Sequence, residues 1–118
     1  MSELQRILND DEKKAFKRFD KRFEMALNLL LDYASHDTGG SRRAAGFLLS
    51  LWNGGTFHYN FQDVLYVDQT LFDAVQLVMN YIYLSGNQLY TYVSEQQMAP
   101  ILDRWGNVFN KHQANLNI

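Results

Sequence analysis

The chain of 118 residues contains no cysteine, one proline and no long apolar run. Each absence removes a class of explanation. Without cysteine there are no disulfides, no thiol nucleophile and no thiolate metal site. A single proline leaves long stretches free to run as helix. No apolar segment approaches the ~18 residues of a membrane span, and the opening MSELQRILNDDEKK is too polar for a signal peptide. The expectation is a soluble cytoplasmic protein that does not enter a membrane. Basic residues are scarce in one region: nine of the eleven Lys and Arg lie in residues 1 to 43, and none occurs from Ala44 to Asp103.

Catalytic patterns are sparse as well. His36, His58 and His112 include no pair at the helical spacing of a zinc site, and neither HExxH nor a nucleophile elbow occurs. His36 beside Asp37 reads as a helix-end histidine favoured by the negative end of the dipole. Asp63 and Asp68 read as helix starters rather than paired acid and base. GGSRR lacks the lysine and the spacing of a phosphate-binding loop. No catalytic residue, metal or cofactor is indicated.

What is present is helical periodicity. Phe16, Phe19, Phe23, Ala26, Leu27, Leu30, Tyr33 and Ala34 recur every three or four residues, and Asp10, Asp11 and Glu12 precede them. These features predict a helix over 11–36. The turn Asp37 to Gly40 closes it, and Ser41 caps a second helix, 41–53, whose nearly all-round apolarity marks it as the buried central element. Gly46 permits a close crossing there, and Asn53-Gly54-Gly55 ends the element. FHYNF at 57–61 alternates like a strand, while Asn60 before Phe61, Val64 and Leu65 reads as a capped short helix; the short helix is preferred over 57–67. Asp68 caps an apolar helix from Gln69 to Leu84 that requires cover on two sides, and Ser85-Gly86-Asn87 closes it. LYTYVSEQQM is read as helix, with strand over 88–93 as the rival. Pro100 predicts a break near Met98 and Ala99 before a last helix with Ile101, Leu102 and Trp105 inward.

Together these give one all-α domain over 1–118, a compact bundle of about five to six helices. Residues 10–108 form its core, and 1–9 and 109–118 are expected to be flexible ends.

Two stretches are candidates for binding. Lys13, Lys14, Lys17, Arg18, Lys21 and Arg22 place six cations on one helix, a footprint suited to nucleic-acid phosphates, although a solvated face is the simpler explanation in a chain that is slightly acidic as a whole. Helix 41–53 has too few polar side chains to serve as a groove-reading helix, which removes a helix-turn-helix. Ser41, Arg42 and Arg43 are the second candidate. Arginines in a first helical turn oppose the helix dipole, so something must compensate. Local acceptors at the end of the first helix, with Asp32 or Asp37, are one answer; an external phosphate or partner carboxylate held by both arginines and the amides after Ser41 is the other. Tyr66, Tyr81, Tyr83, Tyr90 and Tyr92 add amphipathic bulk beyond what a core needs, and predict a homodimer or a stable protein partner.

The run DTGGSRRAAGFLLSLWNGG, followed by FQDVLYVDQTLFDAV and YVSEQQMAPILDRWG, resembles an uncharacterised family of small bacterial proteins often encoded on mobile elements, a domain of unknown function. The resemblance covers about residues 25–106. It implies a helical fold and a bacterial cytoplasmic setting, and it brings no activity, ligand or site residue. Two function classes stay open: a noncatalytic interaction or regulatory accessory protein, and a nucleic-acid-binding accessory protein using residues 13–22.

Overall fold

Helix α1, Asp10–Ala34, starts where the carboxylates announce it. Asn9 caps it: its side chain accepts from the Glu12 N–H at 2.8 Å and donates to the Glu12 carboxylate at 2.9 Å. Three acidic residues fill the first turn, where the helix dipole favours them. The structure, a computed structural model, describes residues 9–111, and for Lys13, Ala15, Phe16 and Lys17 the backbone alone. Of the ends expected to be flexible, 1–9 and 109–118, residues 1–8 and 112–118 lie outside the described residues.

The predicted apolar stripe faces the core from Phe23 onward: Phe23, Leu27, Leu30 and Ala34 are buried. The described side chains from Asp10 to Arg18 are exposed. A 25-residue helix is ~37 Å long, and the molecule measures 54 × 27 × 26 Å.

Helix α2, Gly39–Trp52, corrects the expected turn. Thr38, not Ser41, is the N-cap, its hydroxyl accepting from the Ser41 N–H at 3.0 Å. Gly39 and Gly40 therefore form the first turn of the helix instead of closing the previous one, and the link from α1 needs only residues 35–38. The physical reason is that Thr38, extended at φ −125° and ψ 171°, presents its hydroxyl to the third residue onward. As expected, α2 is the central buried element, with Ala44, Ala45, Phe47, Leu48 and Leu49 at 2 % exposure or less. Removing each such leucine from water is worth roughly 1.5–3 kcal/mol.

Residues 53–60 are irregular. Asn53 Oδ1 accepts from the Gly55 and Thr56 N–H groups, which tightens the turn. The strand signal in FHYNF survives as one isolated antiparallel bridge, Phe57 to Asn110. The expected short helix is a 3-10 helix, η1, Phe61–Tyr66, and Asn60 caps it as predicted. Asp68 then caps α3, Gln69–Ser85, which ends at Gly86 with φ 73°, the left-handed value that suits glycine.

The stretch 88–98 departs from the single helix expected. Leu89–Thr91 form a 3-10 turn, η2, and α4, Glu95–Phe109, begins afresh at Ser94. Ser94 and Gln97 form a reciprocal capping box, with Ser94 Oγ accepting at 3.1 Å and Gln97 Oε1 at 2.9 Å, so the cap overrides continuity of the apolar pattern. Pro100 lies inside α4 and does not break it. The carbonyl that loses its donor belongs to Gln96, which is exposed, where solvent can reach it. Met98, Ile101, Trp105 and Phe109 are all buried, and their packing holds both halves in line.

The core extends further than expected at its C-terminal end. Phe109 is 5 % exposed, its carbonyl accepts from His58 N–H at 3.1 Å, and the Lys111 N–H donates to the Thr56 carbonyl at 3.0 Å. A chain closing back on the irregular segment needs acceptors for its last amides, and Thr56 and Phe57 supply the pairing. The architecture is all-α: α1 packs against both α2 and α3, and α4 against α2.

Candidate functional site

The N-terminal turns of α2 meet the η1 helix through Arg43 and Tyr66, and one turn further along α2 Gly46 admits the rings of Tyr59 and Phe109. A Cβ built on Gly46 would lie 2.5 Å from a Phe109 ring carbon and 2.8 Å from one of Tyr59, so only glycine lets both rings rest directly on the helix. Tyr59 packs edge-on against buried Phe47 and against Phe61, each at 6.2 Å between ring centres. One turn before Gly46, the Arg42 guanidinium sits 5.5 Å over the Phe109 ring. Arg43 sits 5.7 Å over Tyr66, and its Nη1 donates to the Tyr66 carbonyl at 3.2 Å.

The two predicted arginines are thus compensated locally, but by different partners from those expected. The last turn of η1 and two aromatic faces take the place of α1 carbonyls and of Asp32 or Asp37. Asp37 instead faces Arg104 at 3.7 Å, and Asp32 faces His36 at 3.6 Å. Arg42 is exposed and Arg43 half-buried. Ser41 differs: it is 1 % exposed, and its hydroxyl shares a 2.8 Å hydrogen bond with Thr38 Oγ1. It faces the core, and the amides ahead of it at Gly39 and Gly40, not those after it, open the helix.

Around these arginines the surface is apolar. Phe61, Leu65 and Tyr66 are 65, 73 and 68 % exposed, while Val64 alone of η1 is buried. Six residues of 3-10 helix rise only ~10 Å at three residues per turn, so the three large apolar side chains are exposed close together along one short element, on different sides of it. Burial pushes the Tyr59 hydroxyl up to about 12, with Asp63 adding to the rise and Arg43 opposing it. The phenol is held neutral and serves packing.

The sequence pointed to Arg42 and Arg43 and passed over Tyr59, Phe61, Leu65 and Phe109. Their signal was the density of apolar residues from Phe57 to Tyr66, which fits a strand period at its start and a helical one at its end; helical spacing puts Phe61, Val64 and Leu65 inward together, whereas the 3-10 helix buries Val64 alone. The five tyrosines named as surplus divide. Tyr81 is buried, Tyr92 half-buried, and Tyr66, Tyr83 and Tyr90 exposed.

The cationic candidates lie elsewhere. Lys14, Arg18, Lys21 and Arg22 are exposed on α1, and the side chains of Lys13 and Lys17 lie outside those described. Gly40 packs near Tyr33, so the start of α2 lies beside the end of α1, ~18 Å along the helix from Lys21. The basic half of α1 and the arginines of α2 do not form one face.

On a third side, a depression of ≈ 560 Å³ is lined by Asp20, Glu24, Tyr81 and Tyr92. The Tyr81 hydroxyl donates to Asp20, and its ring stacks on Phe23 at 3.9 Å between centres. Burial and that hydrogen bond push the Tyr81 phenol well above the ordinary tyrosine range, which suits an anchor and not a general base. Among the described residues no group of three or more His, Asp or Glu could hold a metal ion, and no helix is long and apolar enough to cross a membrane.

Residues 24–106 match the model of a family of unknown function, DUF7673, and the chain belongs to that family. No curated protein and no solved structure matches it.

Proposed function

We propose that this member of the family is a noncatalytic accessory protein that binds a protein partner through the α2–η1 face. The observation that carries the reading is the exposure of Phe61, Leu65 and Tyr66 within one six-residue 3-10 helix, with Arg43 held over Tyr66 and Arg42 exposed on the same turn of α2. Exposed large apolar and aromatic side chains together with arginine match the composition of protein-binding surfaces. Arg42 over Phe109 is fixed by the ring below it and keeps its donors for a carboxylate of the partner. The setting implied by the family resemblance, a bacterial cytoplasm and often a mobile element, fits a protein that modifies the activity of another.

The test is affinity capture from the native host with wild-type protein beside Phe61→Asp and Leu65→Asp. The reading predicts a partner that the wild type retains and both variants lose while their melting curves stay unchanged. Identical capture by all three would remove the patch from the account.

The exposed cations Lys14, Arg18, Lys21 and Arg22 support a second reading, binding to nucleic-acid phosphates. It predicts a gel shift at low salt that weakens steeply as salt rises and disappears when Lys14 and Lys21 are reversed to Glu. No shift with duplex or single strand leaves those residues as a solvated face.

A further inference from the structure

A second pattern on α1 runs beside the one that makes the core. Arg18, Arg22, Met25, Leu29 and Asp32 follow one another at intervals of four, three, four and three. That spacing places them on one stripe of the helix, the a and d positions of a coiled-coil seam. The stripe does not face the core, which Phe23, Leu27, Leu30 and Ala34 occupy on the other side. Met25 is 66 % exposed, Leu29 is half-buried, and Arg18, Arg22 and Asp32 are exposed. Beside the stripe runs a shallow apolar groove of ≈ 340 Å³ between α1 and α3, where Ala74, Leu77 and Asp73 continue the surface.

The charges along this stripe are ordered. Cations stand at its N-terminal end, apolar residues in the middle and a carboxylate at its C-terminal end. Such a stripe is complementary to a copy of itself only in the antiparallel sense, in which each end meets the opposite charge. With the two-fold axis at Met25, positions whose numbers sum to 50 lie level: Met25 faces Met25 of the second copy, and Arg18 faces its Asp32. Arg22 then lies near the level of Leu29 and reaches toward Asp73 on the neighbouring helix of the copy. The first turns of α1, whose described side chains are exposed, would lie along the partner.

We infer that the occupant of this face is a second copy of the chain, and that α1 pairs antiparallel with α1 of the copy across a seam centred on Met25. The charge order selects the occupant, since a two-fold interface must be self-complementary, and here the same five residues supply both halves. A protein of unrelated sequence has no reason to match a stripe running from arginine to aspartate in this register. The inference is independent of the α2–η1 face, with which the stripe shares no residue, so either can fail alone.

The chain's lack of cysteine makes the register directly measurable. In Met25→Cys the single thiol of each copy meets its equivalent, and mild oxidation should convert most of the protein to a covalent dimer, while Glu24→Cys, on the adjacent face, should not cross-link. In sedimentation, wild type should be dimeric at micromolar concentration. Arg18→Asp and Asp32→Arg should each raise the dimer dissociation constant about tenfold or more through like-charge contacts, and the double reversal should restore it. Rescue is the decisive readout, because two independent surface lesions would add instead of cancelling. A monomeric wild type, equal cross-linking by both cysteine variants, or a double reversal weaker than either single one would each overturn the inference.

Discussion

The indole N–H of Trp105, on α4, donates to the carbonyl of Ala34, the last residue of α1, at 2.9 Å, and the bond is buried. A helix leaves its final carbonyls without partners, and here a side chain 71 positions further along the chain supplies one. The end of the first helix is thereby tied to the last one, directly beneath the turn that sets the start of α2.

Trp105→Phe should therefore destabilise by more than the area it removes. The Ala34 carbonyl would stay buried and unsatisfied, a loss of about 1–3 kcal/mol, and the ring would leave a gap. Chemical denaturation measures it; a loss under ~0.5 kcal/mol would show that water reaches the carbonyl.

Gly46→Ala sets two effects against each other. Alanine gains about 1 kcal/mol of helix propensity, whereas the methyl meets the Phe109 and Tyr59 rings at 2.5–2.8 Å and overpacking costs roughly 1–3 kcal/mol. The rings cannot both withdraw, because Phe109 is buried against the core. The expected result is a lowered melting temperature together with a changed environment for Tyr59, read by aromatic NMR shifts. A raised melting temperature would mean that the rings yield freely.

Pro100→Ala should stabilise, by about 1–2 kcal/mol, since α4 is continuous through this position and regains an N–H donor for Gln96. A drop in the denaturation midpoint would show that the proline shapes the helix.

Alkaline titration should separate the tyrosines. An ordinary phenol ionises near pH ~10, while Tyr59 is held at about 12 by burial and by Asp63, and Tyr81 also lags through burial and its bond to Asp20. Both folded-state values are raised, so the stability these groups contribute is complete below pH ~10 and is lost as pH climbs through the folded-state values. Tyr59→Phe should leave stability at neutral pH nearly unchanged and make its decline above pH ~10 shallower, as followed by thermal melts across that range. An unchanged alkaline decline would place the linkage in other groups.

Much of the helical frame could be read directly from residue order. The acidic start of α1, the Asn60 and Asp68 caps and the Gly86 stop are local signals with local causes, and all stand where expected. The errors arose where two local signals competed. Thr38 and Ser41 both cap well, and only the packing of Ser41 against the core decides between them. Pro100 reads as a breaker until the buried residues on both sides are known. Arg42 and Arg43 stood out as a dipole conflict, yet their partners, Phe109 and Tyr66, lie 67 and 23 positions away and could not be inferred from the first turn of a helix. Phe61 and Leu65 read as inward positions of a short helix, and the 3-10 winding of η1 leaves both exposed and buries only Val64.

The measurement that tests the central claim most directly is site-specific photocrosslinking in the native host, with the reactive residue at position 65 on η1 and, as a control, at exposed position 88. The account predicts one dominant protein adduct from position 65 that is absent from position 88 and is lost when Arg42→Glu is added to a chain with an unchanged melting curve. No protein adduct at position 65, or the same adducts at both positions, would contradict it.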